Sequence, residues 1–142
     1  MKISARNVFE GKVTALSSGP VSAEVEVVTP GGDRLIATIT QGSVQALGLA
    51  VGKPVVALIK ASNVMIMTDA SGVKLSARNC LAGTVEKIVE GPVSAEVILK
   101  LAGGAKVFAS ITREGAEALG LKQGSAATAV IKASSIIIGA TD

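Results

Sequence analysis

The sequence is short of the residues that most enzymes and metalloproteins depend on. Its 142 residues include no histidine, tryptophan or tyrosine, only two phenylalanines and a single cysteine. Histidine is the commonest general base and a common zinc ligand, and no pair of carboxylates falls in a catalytic motif. The single cysteine, Cys80, excludes an intrachain disulfide and is expected to be a small buried hydrophobe. We therefore expect no catalytic residue, no bound metal cation, no catalytic cofactor and no enzymatic activity.

Strong net charge and long apolar runs are also missing. The net charge is only +3, which does not by itself indicate a polyanionic partner. No apolar run approaches the length of a membrane span, and the first motif follows Met1-Lys2 directly, which leaves no room for a signal peptide. With 49% apolar and 18% charged residues, the composition is typical of a globular protein. We expect a cytoplasmic protein with no membrane partner.

What the chain does contain is one sequence written twice, with an offset of 72 residues and no gap. Ser-Ala-Arg-Asn at 4–7 returns at 76–79, and 29 of the 68 pairs between 3–70 and 75–142 are identical. A repeat of this length implies two copies of one fold and of any site that the fold carries. We expect a first domain at 1–69, a linker at 70–74 and a second domain at 75–142.

The pattern within each repeat predicts strands and one short helix. Apolar residues at 21, 23, 25 and 27 alternate with polar ones at 22, 24 and 26, as in a strand with one buried face. Thr40 is suited to cap a short helix that Gly48 would end. Five strands with a helix before the fourth predict an all-β protein of two tandem OB-like five-stranded barrels, each with one short helix. Repeats this small often associate, so we expect an oligomer.

Hydrogen-bond donors recur in both repeats. Ser4 and Arg6 lie two residues apart, so in an extended segment they share a face, and Ser76 and Arg78 repeat the pattern. A lysine ends the fourth strand, and a threonine precedes the helix, whose free N–H groups favour an anion. An arginine fork, an ammonium and hydroxyls together describe a binding site for a small oxyanion.

For any single position an ordinary surface or capping role is the simpler interpretation. Donors that recur together across a repeat that changed more than half of its residues favour a site. Glu24 and Glu96 are kept too, but they lie on the polar side of an alternating strand and are interpreted as a solvated face.

Three motifs resemble those of the molbindin (Mop) domain family. They are Ser-Ala-Arg-Asn, Gly-Pro-Val-Ser-Ala-Glu-Val at 19–25 and 91–97, and Ile-Lys-Ala-Ser at 59–62 and 131–134. The resemblance covers both repeats, as in a tandem di-Mop protein. It implies an OB-like fold that binds molybdate or tungstate at sites between subunits, with six Mop domains per assembly. For a tandem chain this implies a homotrimer.

The resemblance also implies which residues bind the ion. The main sites would use Ser4, Arg6, Thr40, Ser43, Lys60, Ala61 and Ser62 in the first repeat and Ser76, Arg78, Thr112, Gly115, Lys132, Ala133 and Ser134 in the second. At each site the threonine and the helix start would come from a domain adjacent to the one that supplies the arginine and the lysine. Gly115 lacks the hydroxyl of Ser43, so the sites of the two repeats can differ in their affinity for the ion. A second type of site near the assembly axis would use Val21, Ser22, Ala23, Val93, Ser94 and Ala95.

The donor set favours one chemical class of ligand. A site with no carboxylate acceptor suits a fully deprotonated dianion, because a protonated phosphate would leave its O–H unpaired. Together with the family resemblance, which implies molybdate or tungstate as the ion, this leads us to expect a function in binding, storage and homeostasis of that oxyanion.

Three alternatives stay open. An OB-type nucleic-acid binder would need aromatic platforms for base stacking, and two phenylalanines argue against it, so no nucleic-acid partner is expected. The others are a regulatory sensor module and a purely structural oligomer.

Overall fold

The computed structural model describes residues 1–69 and 71–141 and consists of two five-stranded antiparallel sheets. The all-β prediction, with one short α-helix per repeat before the fourth strand, is confirmed. None of the helices in residues 1–69 and 71–141 has the length and hydropathy of a transmembrane span. The first repeat contains β1 (Asn7–Ser18), β2 (Ser22–Val28), β3 (Arg34–Thr40), α1 (Gln41–Leu47), β4 (Pro54–Ile59) and β5 (Met65–Met67). The second contains β6 (Asn79–Glu90), β7 (Ser94–Leu101), β8 (Lys106–Thr112), α2 (Arg113–Ala118), β9 (Ala126–Ile131) and β10 (Ile137–Ala140).

The first strand of each repeat holds its sheet together. β1 pairs with β2 along one part and with β4 along another, and Lys12 is in register with both Val28 and Pro54. A bulge between Val13 and Ala15 lets the strand bend between the two partners. Gly11 is required here because a Cβ at this position would lie 2.6 Å from the Val28 carbonyl oxygen.

The helix caps follow the sequence prediction. The Thr40 hydroxyl oxygen accepts a hydrogen bond from the Ser43 N–H at 3.0 Å, and Gly48 ends α1 with a left-handed φ of 61°. The Thr112 hydroxyl oxygen accepts from the Gly115 N–H at 3.0 Å. A short 3₁₀ turn, Ala61–Asn63 or Ala133–Ser135, then connects the fourth strand of each repeat to the fifth. Each repeat therefore places its polar segments at defined strand ends.

The two repeats exchange their last strands. The order of one sheet is β10-β4-β1-β2-β3 and that of the other is β5-β9-β6-β7-β8. β10 of the second repeat thus pairs with β4 of the first, with Ile138 opposite Ala57, while β5 pairs with β9. Each sheet consists of four strands of one repeat and one strand of the other, and the repeats form an interlocked pair.

A buried asparagine at the start of each long first strand ties the two repeats together. The Asn7 amide nitrogen donates to the Phe108 carbonyl oxygen at 2.8 Å, and the Phe108 N–H donates to the Asn7 amide oxygen at 2.7 Å. Asn79 forms the same pair of bonds with the backbone of Ile36, at 2.8 and 2.7 Å. Both asparagines are at most 2% exposed, so each satisfies backbone groups of the other repeat in the interior.

The orientation of these asparagines explains why the expected burial of Cys80 is wrong. Cys80 is exposed, as is Val8 at the matching position of the first repeat. Successive side chains of a strand point to opposite faces. Since Asn7 and Asn79 point inward, the residues that follow them, Val8 and Cys80, point outward. The apolar character of Cys80 therefore did not predict its exposure.

Asn7→Ala should destabilise the protein more than a surface substitution does. It leaves the N–H and the carbonyl of the half-buried Phe108 without their amide partners, and an unpaired group of this kind costs about 1–3 kcal/mol. Urea unfolding followed by circular dichroism measures the change. The matched control is Asn63→Ala at an exposed asparagine. Equal unfolding midpoints for the two variants would show that the buried amide is not a main tie between the repeats.

Candidate functional site

A cleft at the start of the first sheet brings together residues that are more than 50 positions apart in the sequence. Asn7 is in register with Ile59, so the residues before β1 lie beside those after β4. The cleft has a volume of about 380 Å³. The predicted site residues that line it are Ser4, Arg6, Lys60, Ala61 and Ser62.

The other repeat completes this cleft, which we call cleft one. Ser110 from β8 and Ile137 from the exchanged strand β10 lie in its wall together with Ile3. The site is therefore shared between the two repeats of one chain. Ser110 was missed in the sequence, although a hydroxyl is kept at this position, as Thr38 in one copy and Ser110 in the other.

Cleft two is the counterpart in the second sheet, with a volume of about 560 Å³. Here Thr38 and the exchanged strand Met65–Met67 are supplied by the first repeat. The predicted site residues in its wall are Ser76, Arg78, Lys132, Ala133 and Ser134. The two clefts thus repeat the same composite construction.

The helix starts lie elsewhere in the chain. Thr40, Ser43, Thr112 and Gly115 line neither cleft. Thr40 is instead in register with Ser22, and the backbone N–H of Gln41 donates to the Val21 carbonyl oxygen at 2.9 Å. A single chain therefore separates the predicted main-site residues into two places.

The segments predicted as a second site lie beside these helix starts. Val21 and Val93 are exposed at the turns before β2 and β7, and Ser22 and Ser94 begin the strands. Ala23 and Ala95 are buried and face the core. Any ligand in this region would meet the backbone and the serines rather than the alanine side chains.

Each cleft arginine is held by a glutamate of the other repeat. The Arg6 guanidinium donates to both carboxylate oxygens of Glu96, at 3.0 and 3.3 Å, and lies 4.7 Å from the centroid of the Phe108 ring. Arg78 donates one hydrogen bond to a carboxylate oxygen of Glu24. The interpretation of the two glutamates as a merely solvated face is therefore wrong. The sequence could not show these pairs because each joins two repeats.

The arginines of the two clefts differ in one contact. The Arg6 guanidinium carbon lies over the Phe108 ring, whereas the residue that matches Phe108 in the first repeat is Ile36. An aliphatic side chain cannot provide a cation–π contact. Arg6 therefore has two fixed partners.

The cleft walls are rich in hydrogen-bond donors. Cleft one contains one guanidinium, one ammonium and three hydroxyls, and the described residues that line either cleft include no carboxylate. Glu96 and Glu24 lie behind the arginines, outside the lining. The walls can donate several hydrogen bonds to an anion and offer no side-chain carboxylate to accept one.

A third arginine–glutamate pair lies outside the clefts. Arg34 and the Thr14 hydroxyl donate hydrogen bonds to the Glu26 carboxylate, and these bonds lower the pKa of Glu26. Both residues of the ion pair belong to the first repeat, and neither lines a cleft. The Arg34–Glu26 pair therefore serves as a control for the two arginine–glutamate pairs that join the repeats.

Arg6→Ala should lower the free energy of unfolding more than Arg78→Ala does. Both changes remove an exposed ion pair, worth about 0–1 kcal/mol, but only Arg6 also loses an aromatic contact, worth about 0.5–1 kcal/mol. Urea unfolding of the two variants and the parent measures the difference. A larger loss for Arg78→Ala would contradict the assignment of Phe108 as a support for Arg6.

Comparison with known proteins places both repeats in one family. The TOBE domain matches residues 3–66 and 75–138. The fold superposes on the molybdate-bound crystal form of ModG, a cytoplasmic molybdate-binding protein, with a TM-score of 0.96. The sequences are 54% identical, and the alignment covers 99% of this chain and 100% of that one.

Curated relatives share the whole repeat pair. The molybdenum transport protein ModE of Herbaspirillum seropedicae is 44% identical over 138 residues, and that of Azotobacter vinelandii is 47% identical. The molybdenum-pterin-binding protein MopA of Rhodobacter capsulatus is 44% identical. Each alignment covers 97% of this chain, but the chain spans only about half the length of these relatives, 51%, 51% and 52%.

Proposed function

This chain belongs to the TOBE-domain family, and we propose that it binds molybdate in the two composite clefts and serves to store and buffer the ion. It would act as a cytoplasmic binding protein rather than as an enzyme. One observation carries the proposal. Ser4, Arg6 and Lys60 come from distant segments and converge on one cleft, and their counterparts converge on the other.

The chemistry of the cleft walls supports a tetrahedral dianion. The Arg6 guanidinium and the Lys60 ammonium supply positive charge and N–H donors, and the hydroxyl of Ser4 can donate as well. Phosphate retains a proton near neutral pH and would need an acceptor, but the described lining offers no carboxylate, and the neighbouring Glu96 carboxylate is already engaged by Arg6. Tungstate has the same charge and shape as molybdate and would bind in the same way.

An oligomer would bring the separated helix starts into reach of the clefts. Thr40 and Ser43 line neither cleft of their own chain, so in our proposal they contact the ion bound by a neighbouring subunit. Exposed apolar side chains flank both clefts, with Ile137 62% exposed at cleft one and Met65 53% exposed at cleft two. Burial of such residues favours association. The family resemblance makes a homotrimer the assembly we propose.

A second candidate function is that of a ligand-sensing module. It is favoured by the curated relatives named ModE, since the chain corresponds to about half the length of those proteins. One similar protein is described as a transcriptional regulator in Yersinia pestis. In this case the clefts would bind the same oxyanion, and the change in occupancy would be the signal.

Isothermal titration of the purified chain should show tight binding of molybdate, competition by tungstate and little binding of phosphate. Arg6→Ala should remove one class of ions and leave the class around Arg78. The lost charge-assisted hydrogen bonds are worth about 1.5–3 kcal/mol, or roughly tenfold to a hundredfold in affinity. The double variant Arg6→Ala with Arg78→Ala should lose both classes.

Arg34→Ala is the matched control, because this arginine is also paired with a glutamate but lies outside both clefts. It should bind like the parent. The site assignment would be wrong if the double variant bound as many ions as the parent with similar affinity. Equal affinities for phosphate and molybdate would contradict the argument from protonation.

A further inference from the structure

The two glutamates that pair with the cleft arginines lie next to the clefts without lining them. Glu96 is opposite Ser110 in the β7–β8 register, and Ser110 is part of the wall of cleft one. Glu24 is opposite Thr38, which is part of the wall of cleft two. Side chains directly opposite each other on neighbouring strands have Cβ atoms about 5 Å apart. Each carboxylate is therefore within one side chain of the space that the anion would occupy.

We infer that Glu96 and Glu24 set the affinity of the clefts by competing with the oxyanion for the arginine. This inference rests on the proposed function. The Glu96 carboxylate engages both terminal nitrogens of the Arg6 guanidinium, at 3.0 and 3.3 Å. An arginine has five N–H donors, and this bidentate contact uses two of them. A bound dianion has to share the remaining donors or displace the carboxylate.

The charges near the cleft give the direction of the effect. Arg6 and Lys60 together carry a charge of +2, and the nearby Glu96 reduces this to +1. A dianion is attracted less strongly to the smaller charge and is also repelled by the carboxylate itself. Glu96 thus weakens binding, although it neutralises the arginine when the cleft is empty.

Glu96 also holds Arg6 in place, which would have the opposite effect on affinity. In cleft one Phe108 also positions Arg6, because the guanidinium carbon lies 4.7 Å from the centroid of the Phe108 ring. Glutamine at position 96 keeps the size of the side chain and one acceptor oxygen. In cleft one, Glu96→Gln should therefore raise the affinity, because the loss of negative charge outweighs the weaker positioning of Arg6. In cleft two Ile36 cannot give the same support, so Glu24→Gln should tighten binding less.

The test is a molybdate titration of the full chain by calorimetry, with parent, Glu96→Gln and Glu26→Gln compared at low and high salt. In Glu96→Gln, a class of ions should bind about tenfold more tightly, a change of about 1.4 kcal/mol. The number of ions in this class should equal the number that Arg6→Ala removes. The gain should shrink at high salt, because screening weakens the repulsion between partly exposed charges.

Glu26→Gln is the control, since Glu26 also accepts from an arginine but lies away from both clefts. Its affinity should equal that of the parent. Unchanged or weaker binding in Glu96→Gln would overturn the inference, because the carboxylate would then only position Arg6, and the proposed function would stand. An equal gain in affinity in Glu96→Gln and Glu26→Gln would also overturn the inference, because the gain would then be a general effect of net charge. If the parent binds no molybdate, the proposed function fails and this inference fails with it.

Discussion

The fold depends on a buried amide that satisfies the backbone of the other repeat. Asn7 and Asn79 each accept from one N–H and donate to one carbonyl across the interface between repeats. Each also donates to the last residue of the fourth strand in its own repeat, Ile59 or Ile131, at 3.2 Å. The amides thus fix three segments at once: the start of the first strand, the end of the fourth, and the third strand of the other repeat.

The clefts form around these same amides. Arg6 directly precedes Asn7, Lys60 directly follows Ile59, and Phe108 is both a partner of the Asn7 amide and the aromatic support of Arg6. An unpaired polar group in the interior costs more than a typical hydrogen bond contributes, so these contacts restrict where the charged residues can lie. The exchange of β5 and β10 adds one wall to each cleft. Structure and candidate site therefore rest on one set of contacts between repeats.

Much of the fold within one repeat was predictable from the sequence. The alternation along β2, the cap at Thr40 and the left-handed Gly48 are local features, and local sequence determines them. The strand exchange was not predictable, because the periodicity of a fifth strand is the same whether it pairs within its own repeat or with the other one. The exposure of Cys80 was missed for a related reason: the inward orientation of Asn79 depends on a partner in the other repeat.

The candidate site was predictable to a similar extent. Repetition identified Ser4, Arg6 and Lys60, and the structure brings them together in one cleft. It did not reveal that Glu96 pairs with Arg6, because strand alternation alone made this glutamate a solvated residue. Thr40, which the family resemblance assigns to an adjacent domain, lies away from the clefts of its own chain. Pairs within a segment can be inferred from spacing, but pairs between repeats require the three-dimensional arrangement.

The most direct test of the composite clefts is anomalous diffraction from crystals grown with molybdate, recorded at the molybdenum absorption edge. We predict anomalous peaks between Arg6, Lys60 and Ser110 in cleft one, and between Arg78, Lys132 and Thr38 in cleft two. Bound molybdenum that lies only at other positions, with both clefts empty, would contradict it.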